Sequence, residues 1–230
     1  MISKSLLLND QKWRASFLGE KAISLAPSAK NSPLSVIHKA ARIVEESEIQ
    51  DLIDVIPAYE SIALIYARPL YDLNEEIAEL EQKIRQTTIK KQEVSRIEVP
   101  VCYEMGLDWD EIEKNTKIPR ERFIERHESG TYEVAMMGFL PGFIYLSGLD
   151  EDLSCPRKNN PRTKIPSGSV GIGGSQTGIY SLESPGGWQI IGRTPVHFFN
   201  EERDPPINVM PGDHVRFKKI SKKAFDQWEV

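Results

Sequence analysis

The sequence contains little cysteine and no excess of positive charge. Cys102 and Cys155 are its only two cysteines, and neither belongs to a CxxC pair or a Cys/His ligand set. The sequence therefore predicts neither a disulfide framework nor a metal site. Lysine and arginine total 29 against 34 aspartates and glutamates. Because phosphate backbones favour basic proteins, this balance argues against nucleic acid as a main partner.

Long hydrophobic runs are also absent. A membrane-spanning helix needs about 18 or more consecutive apolar residues, and no such run occurs. The leucines at residues 6–8 form a run that is too short for the apolar part of an export signal. The sequence thus predicts no membrane span, no export and a cytoplasmic location.

Common catalytic motifs are missing as well. The sequence has no GxxxxGK[ST] phosphate loop, no HExxH and no GxSxG. Gly171 and Gly173 begin a pattern like a dinucleotide fingerprint, but Gln176 stands where the third glycine belongs. The sequence therefore gives no support for a standard nucleotide, zinc-protease or serine-hydrolase site.

The first hundred residues alternate helical and strand patterns and contain almost no glycine. Ser32 and Pro33 predict the start of one helix, and Asp72 with Glu75 predicts the start of a second. Residues 12–17 and 21–25 show short apolar/polar alternations before the first helix, and strands are predicted at residues 49–56, 61–67 and 95–99. The order β, α, β, β, α, β is that of ferredoxin-like domains. We therefore expect a ferredoxin-like α+β domain over residues 1–100.

The second part, residues 101–230, has a different pattern. A helical passage at residues 108–127 precedes short strands that Gly and Pro separate. These strands are predicted at residues 131–139, 169–173, 177–181, 188–192 and 214–220. Such spacing is typical of either a closed barrel or a sandwich.

Arginines give residues 138–195 their clearest chemical signal. Arg157 and Arg162 each follow a proline, and Arg193 lies in the sequence GRTP. A guanidinium on restricted backbone can bind a carboxylate or phosphate through two parallel hydrogen bonds. We therefore expect a site for a small acidic ligand. The alternative is that these arginines bind backbone carbonyls of the loops.

Other residues could complete such a site. His127 is the candidate acid or base because imidazole titrates near neutral pH, although a lone histidine is more often a hydrogen-bonded structural residue than a catalyst. The amides of Gly168, Gly173 and Gly174 could stabilise an oxyanion. The candidate polar contacts and apolar walls of the pocket are Ser167, Ser169, Gln176, Phe139, Tyr145 and Trp188.

Several passages resemble a known family. GFLPGFIYLSGL, PRKNNPRTKIPSGSVGIGGSQTGIY and SPGGWQIIGRTP closely resemble the signature of the PxpB family, the B subunits of 5-oxoprolinase, also described as KipI-like or as allophanate hydrolase subunit 1. PVCYE, HESGTYEV and MPGDHVRFKKIS are similar to further landmarks of that family, in the expected order. The resemblance implies a ferredoxin-like N-terminal domain and a cyclophilin-like β-barrel at the C-terminus.

The resemblance also implies an activity. The chain would be one component of a multi-subunit, ATP-dependent 5-oxoprolinase, inactive alone, which opens the lactam of 5-oxo-L-proline to give L-glutamate. Its partners would be a PxpC-like subunit and a PxpA-like, lactam-binding subunit. The complex would use ATP, with no ATP site assigned to this chain. The substrate carboxylate would give the arginines a ligand.

Two alternatives follow from related proteins. A KipI-like inhibitor would bind a sensor histidine kinase, with Phe139, Phe143 and Tyr145 as the docking surface. An allophanate or urea amidolyase-related component is the other alternative, although no residue considered above favours a urea-derived substrate.

Overall fold

The chain divides into two compact units, Met1–Glu93 and Val94–Val230. The computed structural model describes residues 3–88 and 94–228. Each unit has its own hydrophobic core. Within the described residues, no helix has both the length and the apolar character that crossing a membrane requires.

The N-terminal unit is one antiparallel sheet with two helices. Its five strands lie in the order β1-β2-β3-β5-β4. The strands are β1 (Ser3–Leu8), β2 (Gln11–Phe17), β3 (Ala22–Pro27), β4 (Leu52–Pro57) and β5 (Ile62–Tyr66), and the helices are α1 (Leu34–Glu45) and α2 (Leu73–Gln86). Helix α1 packs on β4, and α2 packs on β1 and β2. Trp13, Ile37 and Ile77 lie fully buried in the resulting core.

Of the two helix starts predicted in this unit, the structure confirms one and contradicts the other. The start of α2 is confirmed, because the Asp72 carboxylate accepts a 2.7 Å hydrogen bond from the Asn74 amide. The predicted Ser32 cap of α1 is wrong. Pro33 occupies the cap position, and the Ser32 hydroxyl donates instead to the Ala29 carbonyl.

The strand predicted at residues 95–99 exists but belongs to the other unit. It is β6 (Arg96–Val101), and it pairs in parallel with β14 (His214–Lys219). The neighbour of β3 is instead β2, which forms a hairpin with β1. The predicted order β, α, β, β, α, β is therefore wrong, since three strands precede α1. The β1–β2 hairpin lies next to β3 in the sequence, so pairing it with β3 closes a shorter loop, at a lower entropic cost, than pairing β3 with a strand at residue 95 would.

The C-terminal unit is a nearly closed, barrel-like sheet. Its seven strands lie in the order β13-β10-β11-β8-β7-β14-β6. Cys102, just after β6, forms a bridge with Arg193 of β13, with N–H···O distances of 2.8 and 3.1 Å. The remaining strands are β7 (Tyr132–Met137), β8 (Ile144–Ser147), β10 (Ser169–Gly173), β11 (Gln176–Ile179) and β13 (Gln189–Arg193), and β9 (Arg162–Ile165) pairs separately with β12 (Ser184–Gly186).

The predicted helical passage at residues 108–127 forms two helices, α3 (Trp109–Thr116) and α4 (Arg120–Ser129). Lys117 ends α3 in the left-handed conformation, at φ 60°, and Pro119 caps α4. A short helix α5 (Lys222–Asp226) follows β14. Strands β8, β9 and β12 were not predicted, and they contain only four, four and three residues.

Candidate functional site

An aromatic cluster is formed by residues in or next to β8, β11 and β13. We define it as Phe143, Tyr145, Tyr180 and Trp188. The Phe143 ring is buried, with its centroid 4.8 Å from Tyr180 and 5.5 Å from Trp188, both in edge-to-face geometry. Such edge-to-face pairs stabilise beyond the area they bury. Tyr145 also packs edge-on against Trp188 at 5.7 Å. The cluster therefore forms a rigid platform.

Gly173 allows the Trp188 indole to lie directly on β10. A Cβ atom at residue 173 would lie 2.4 Å from a ring carbon of Trp188, closer than real Cβ contacts. The glycine is thus required by packing, and its position fixes the height of the indole above the sheet.

Phe139 and Arg157 extend this platform to the surface. Phe139 is 68% exposed and has φ 70°, a conformation that bulky residues rarely adopt and that is concentrated at functional sites. Its ring meets Phe143 edge-on at 5.9 Å. The Arg157 guanidinium lies 5.5 Å from the Trp188 ring centroid. Within residues 3–88 and 94–228, Arg157 has no carboxylate partner. The structure therefore brings together four predicted site residues, Phe139, Tyr145, Trp188 and Arg157.

Tyr145 can act as a hydrogen-bond donor on this surface. Burial raises the pKa of its hydroxyl, and Arg157 opposes this only in part. The phenol therefore stays protonated at neutral pH. A donor and a cation thus lie beside one aromatic face, which suits a flat ligand that bears a carboxylate.

Arg162 is held by a carboxylate that the sequence prediction missed. Its two terminal nitrogens donate to Asp108 at 2.8 and 2.5 Å. Asp108 also accepts from Lys158 Nζ at 3.0 Å and from the Ile190 amide at 2.7 Å. The Asp108 side chain is only 2% exposed. The Arg162 guanidinium, predicted to bind an anionic ligand, is therefore already paired with a carboxylate of this chain and ties β9 to the start of α3.

Electrostatics keeps Asp108 ionised. Burial raises its pKa, but the hydrogen bonds from Arg162, the Ile190 amide and Lys158 together outweigh burial and lower it. Lys158 also donates to Glu111 at 2.5 Å. We call Asp108, Glu111, Lys158 and Arg162 the Asp108 network. Apart from Arg162, its members went unrecognised because their partners lie about fifty residues away in sequence.

The side chains of Arg193, Ser167 and Ser169 donate hydrogen bonds to backbone carbonyls of the loops. Arg193 Nε donates to the Ser167 carbonyl at 2.7 Å. The Ser167 hydroxyl donates to the Ser181 carbonyl at 2.6 Å, and the Ser169 hydroxyl donates to the Pro166 carbonyl at 2.7 Å. For Arg193 the alternative prediction, binding to backbone carbonyls, describes the structure.

The predicted oxyanion amides are also occupied. The Gly168 amide donates to the Tyr180 carbonyl, and the Gly174 amide donates to the Cys155 carbonyl. Gly173 pairs with Gln176 across β10 and β11. Gln176 is half-buried at the start of β11. Backbone pairing thus accounts for this glycine-rich turn.

His127 lies in the core of the barrel-like sheet and has no exposed surface. Its Nδ1 is 2.8 Å from the Tyr103 hydroxyl, and its Nε2 is 3.2 Å from Thr177 Oγ1. Its ring stacks on Phe217 at 4.5 Å. Burial lowers the pKa of His127 to about 3, so the imidazole is neutral at pH 7. The structure therefore does not place His127 beside the arginines, and its contacts are those of a core residue.

Both cysteine thiols are buried in this structure. Burial raises the pKa of Cys102 and of Cys155, so both thiols stay protonated at neutral pH. Among the described residues, no group of three or more His, Cys, Asp or Glu side chains is placed to hold a metal ion.

Comparison with known proteins shows the broad family to which this chain belongs. Residues 13–209 match the family described as "Carboxyltransferase domain, subdomain C and D", and the chain belongs to that family. The urea carboxylase structure from Kluyveromyces lactis matches with a TM-score of 0.72 over 97% of this chain and 23% of that chain. At 17% identity, this likeness shows the fold alone.

Individual relatives identify a narrower group within this family. A Bacillus subtilis (strain 168) protein named as the B subunit of 5-oxoprolinase is 36% identical over 210 residues, which cover 84% of this chain and 86% of the relative. A protein of the same name from Escherichia coli O157:H7 is 36% identical over 212 residues, covering 90% and 96%. The chain therefore belongs to the PxpB family of 5-oxoprolinase B subunits, and the predicted family is confirmed.

Proposed function

We propose that this chain is the B subunit of an ATP-dependent 5-oxoprolinase complex that converts 5-oxo-L-proline to L-glutamate. The observation that carries the proposal is the similarity of most of the chain to proteins named as the B subunit of 5-oxoprolinase. The five-membered lactam is an amide with a poor leaving group, so its hydrolysis benefits from activation. Phosphorylation of the lactam oxygen by ATP would make the carbonyl carbon open to attack by water. The ATP site is not assigned to this chain.

Within this proposal, the aromatic cluster and Arg157 form the contribution of this chain to substrate binding. Arg157 binds the substrate carboxylate, and Phe139 and Trp188 contact the lactam ring. Support comes from the position of Arg157 over Trp188 and from the exposure of Phe139. The proton-transfer groups come from the other subunits, since His127 is buried. We therefore propose PxpC-like and PxpA-like partners, and a chain that is inactive alone.

We infer finer fold relationships as well. The order β2-β3-β5-β4, with α1 after β3 and α2 after β5, corresponds to a ferredoxin-like sheet whose fourth strand is supplied by the N-terminal hairpin. The nearly closed sheet of the C-terminal unit supports a cyclophilin-like barrel. A cytoplasmic location stays a prediction.

The alternative functions gain less support. Inhibition of a sensor histidine kinase stays a prediction, and of its three predicted docking residues Phe143 is only 1% exposed. A urea-related role has less support, because the sequence matches to proteins named as urea amidolyase or urea carboxylase cover only 30–51% of this chain.

The test is glutamate release from 5-oxo-L-proline and ATP by this chain mixed with the two partner subunits. We expect release by the wild-type mixture and an increase of about tenfold or more in KM with Arg157→Gln, since a charge-assisted pair is lost. Arg122→Gln is the matched control, because Arg122 is an exposed arginine of the same unit that pairs with the exposed Glu125. Absence of glutamate release from the wild-type mixture would contradict the proposal.

A further inference from the structure

We propose that the outer face of the barrel-like sheet carries a binding site for an anion that bears a phosphate group. The site is a cavity of about 410 Å³ formed around β6, β14 and the residue preceding β7. It is lined by Arg96, Ile97, Glu98, Thr131, His214 and Arg216. None of these residues belongs to the aromatic cluster or to the Asp108 network.

Strand register brings the cationic side chains together. In the parallel β6–β14 pair, Arg96 lies beside His214 and Glu98 lies beside Arg216. Val215 and Phe217 are buried, so the alternation of a strand directs His214 and Arg216 outward. Arg96 and Arg216 are diagonal neighbours across this pair, about 7–8 Å apart, a separation that two long side chains can bridge to reach one ligand.

The charge balance of this face favours an anion. Lys218 Nζ lies 2.8 Å from Glu98 Oε1, so the carboxylate that lines the cavity already has a cation. Glu133 lies opposite His214 in the β7–β14 register and is a second carboxylate on this face within residues 94–228. Neither Arg96 nor Arg216 has an ion pair with any residue in 3–88 or 94–228. Arg96, Arg216 and Lys218 therefore face Glu98 and Glu133, and the guanidinium groups of Arg96 and Arg216 can still bind an anion.

The donor set fits a phosphate group. Each guanidinium can donate two parallel hydrogen bonds to phosphate oxygens, and the Thr131 hydroxyl and the His214 imidazole add further hydrogen-bonding groups. The cavity volume lies within the range of about 300–1,000 Å³ that is typical of small-molecule sites. Phosphate chemistry is common to inorganic pyrophosphate and to nucleotides, and the experiment below separates them.

The test uses the purified chain alone, so it does not depend on the proposed 5-oxoprolinase activity. Calorimetric titrations with pyrophosphate, with ADP and with 5-oxo-L-proline are run at one low ionic strength, since salt screens exposed charges. We expect pyrophosphate or ADP to bind. Arg96→Gln and Arg216→Gln should each weaken that binding about tenfold, and Arg96→Lys should weaken it less, because it keeps the charge without the fork.

Arg122→Gln is the matched control and should leave binding unchanged. Tighter binding of ADP than of pyrophosphate would support a nucleotide site, and equal binding would support recognition of the phosphate group alone. The proposal is overturned if neither phosphate compound binds at millimolar concentration, or if binding survives the Arg96→Gln/Arg216→Gln double change. The proposal is also overturned if Arg157→Gln abolishes binding while the double change leaves it intact.

Discussion

The substitution Asp108→Asn should destabilise the C-terminal unit strongly. It removes a buried carboxylate that accepts hydrogen bonds from Arg162, Lys158 and the Ile190 amide. Removal of one partner from a buried ion pair costs about 3–5 kcal/mol. Because the side chains of Arg162 and Lys158 are 26% and 19% exposed, water can partly solvate them. We therefore expect a loss near the lower end, about 3 kcal/mol in the free energy of unfolding at pH 7.

The pH dependence of this loss gives a second check. The pKa of Asp108 is lowered in the folded chain, so its contribution is fully present above the unfolded pKa of about 4. The contribution disappears as the pH falls through the lower, folded pKa. The difference between wild type and Asp108→Asn should therefore be constant from pH 7 down to about pH 5 and shrink below about pH 4.

Urea unfolding followed by tryptophan fluorescence measures this, since Trp109, Trp188 and Trp228 lie in the C-terminal unit. Lys164→Gln is the control. It breaks an ion pair whose side chains are 69% and 51% exposed, so it should cost no more than about 0.5 kcal/mol. A loss below about 1 kcal/mol with Asp108→Asn at pH 7 would refute the reasoning, given the value expected for a buried pair.

Three further predictions concern other residues. In the wild type, the free energy of unfolding should fall by up to about 1.4 kcal/mol per pH unit as the pH drops from about 6.5 to 3, because in this range only the unfolded chain binds a proton at His127. His127→Gln should remove this part of the pH dependence. Urea titrations at several pH values measure it. Gly173→Ala should destabilise by about 2 kcal/mol, because its Cβ overlaps Trp188, and a fall in the thermal midpoint would show this, whereas an unchanged midpoint would contradict the packing argument. Phe139→Ser should change the free energy of unfolding by no more than about 0.5 kcal/mol yet lower glutamate release by the assembled complex, so equal activity of the variant would exclude Phe139 from the site.

Local patterns predicted those elements whose partners are close in sequence. Asp72 marked the start of α2, and the residues of β10 were predicted with the correct bounds. Strand β6 was predicted as a strand but assigned to the wrong sheet. Its partner β14 lies more than a hundred residues further along the chain, and strand propensity carries no information about pairing at that distance.

His127 and Arg162 show two different limits for site prediction. For His127 the sequence did contain a warning, because Phe123 and Ile124 precede it by four and three residues, the spacing of one buried helix face. For Arg162 no local warning existed, since Asp108 is 54 residues away. The arginine that stays available, Arg157, could be separated from the occupied ones only by the structure.

The most direct test of the account is an add-back experiment with the assembled enzyme. PxpA-like and PxpC-like subunits are mixed with 5-oxo-L-proline and ATP, and L-glutamate and ADP are measured with and without this chain. We predict that both products form together only when this chain is added, and that the chain alone forms neither. Equal glutamate release without the chain, or none with it, would contradict its assignment as the B subunit of 5-oxoprolinase.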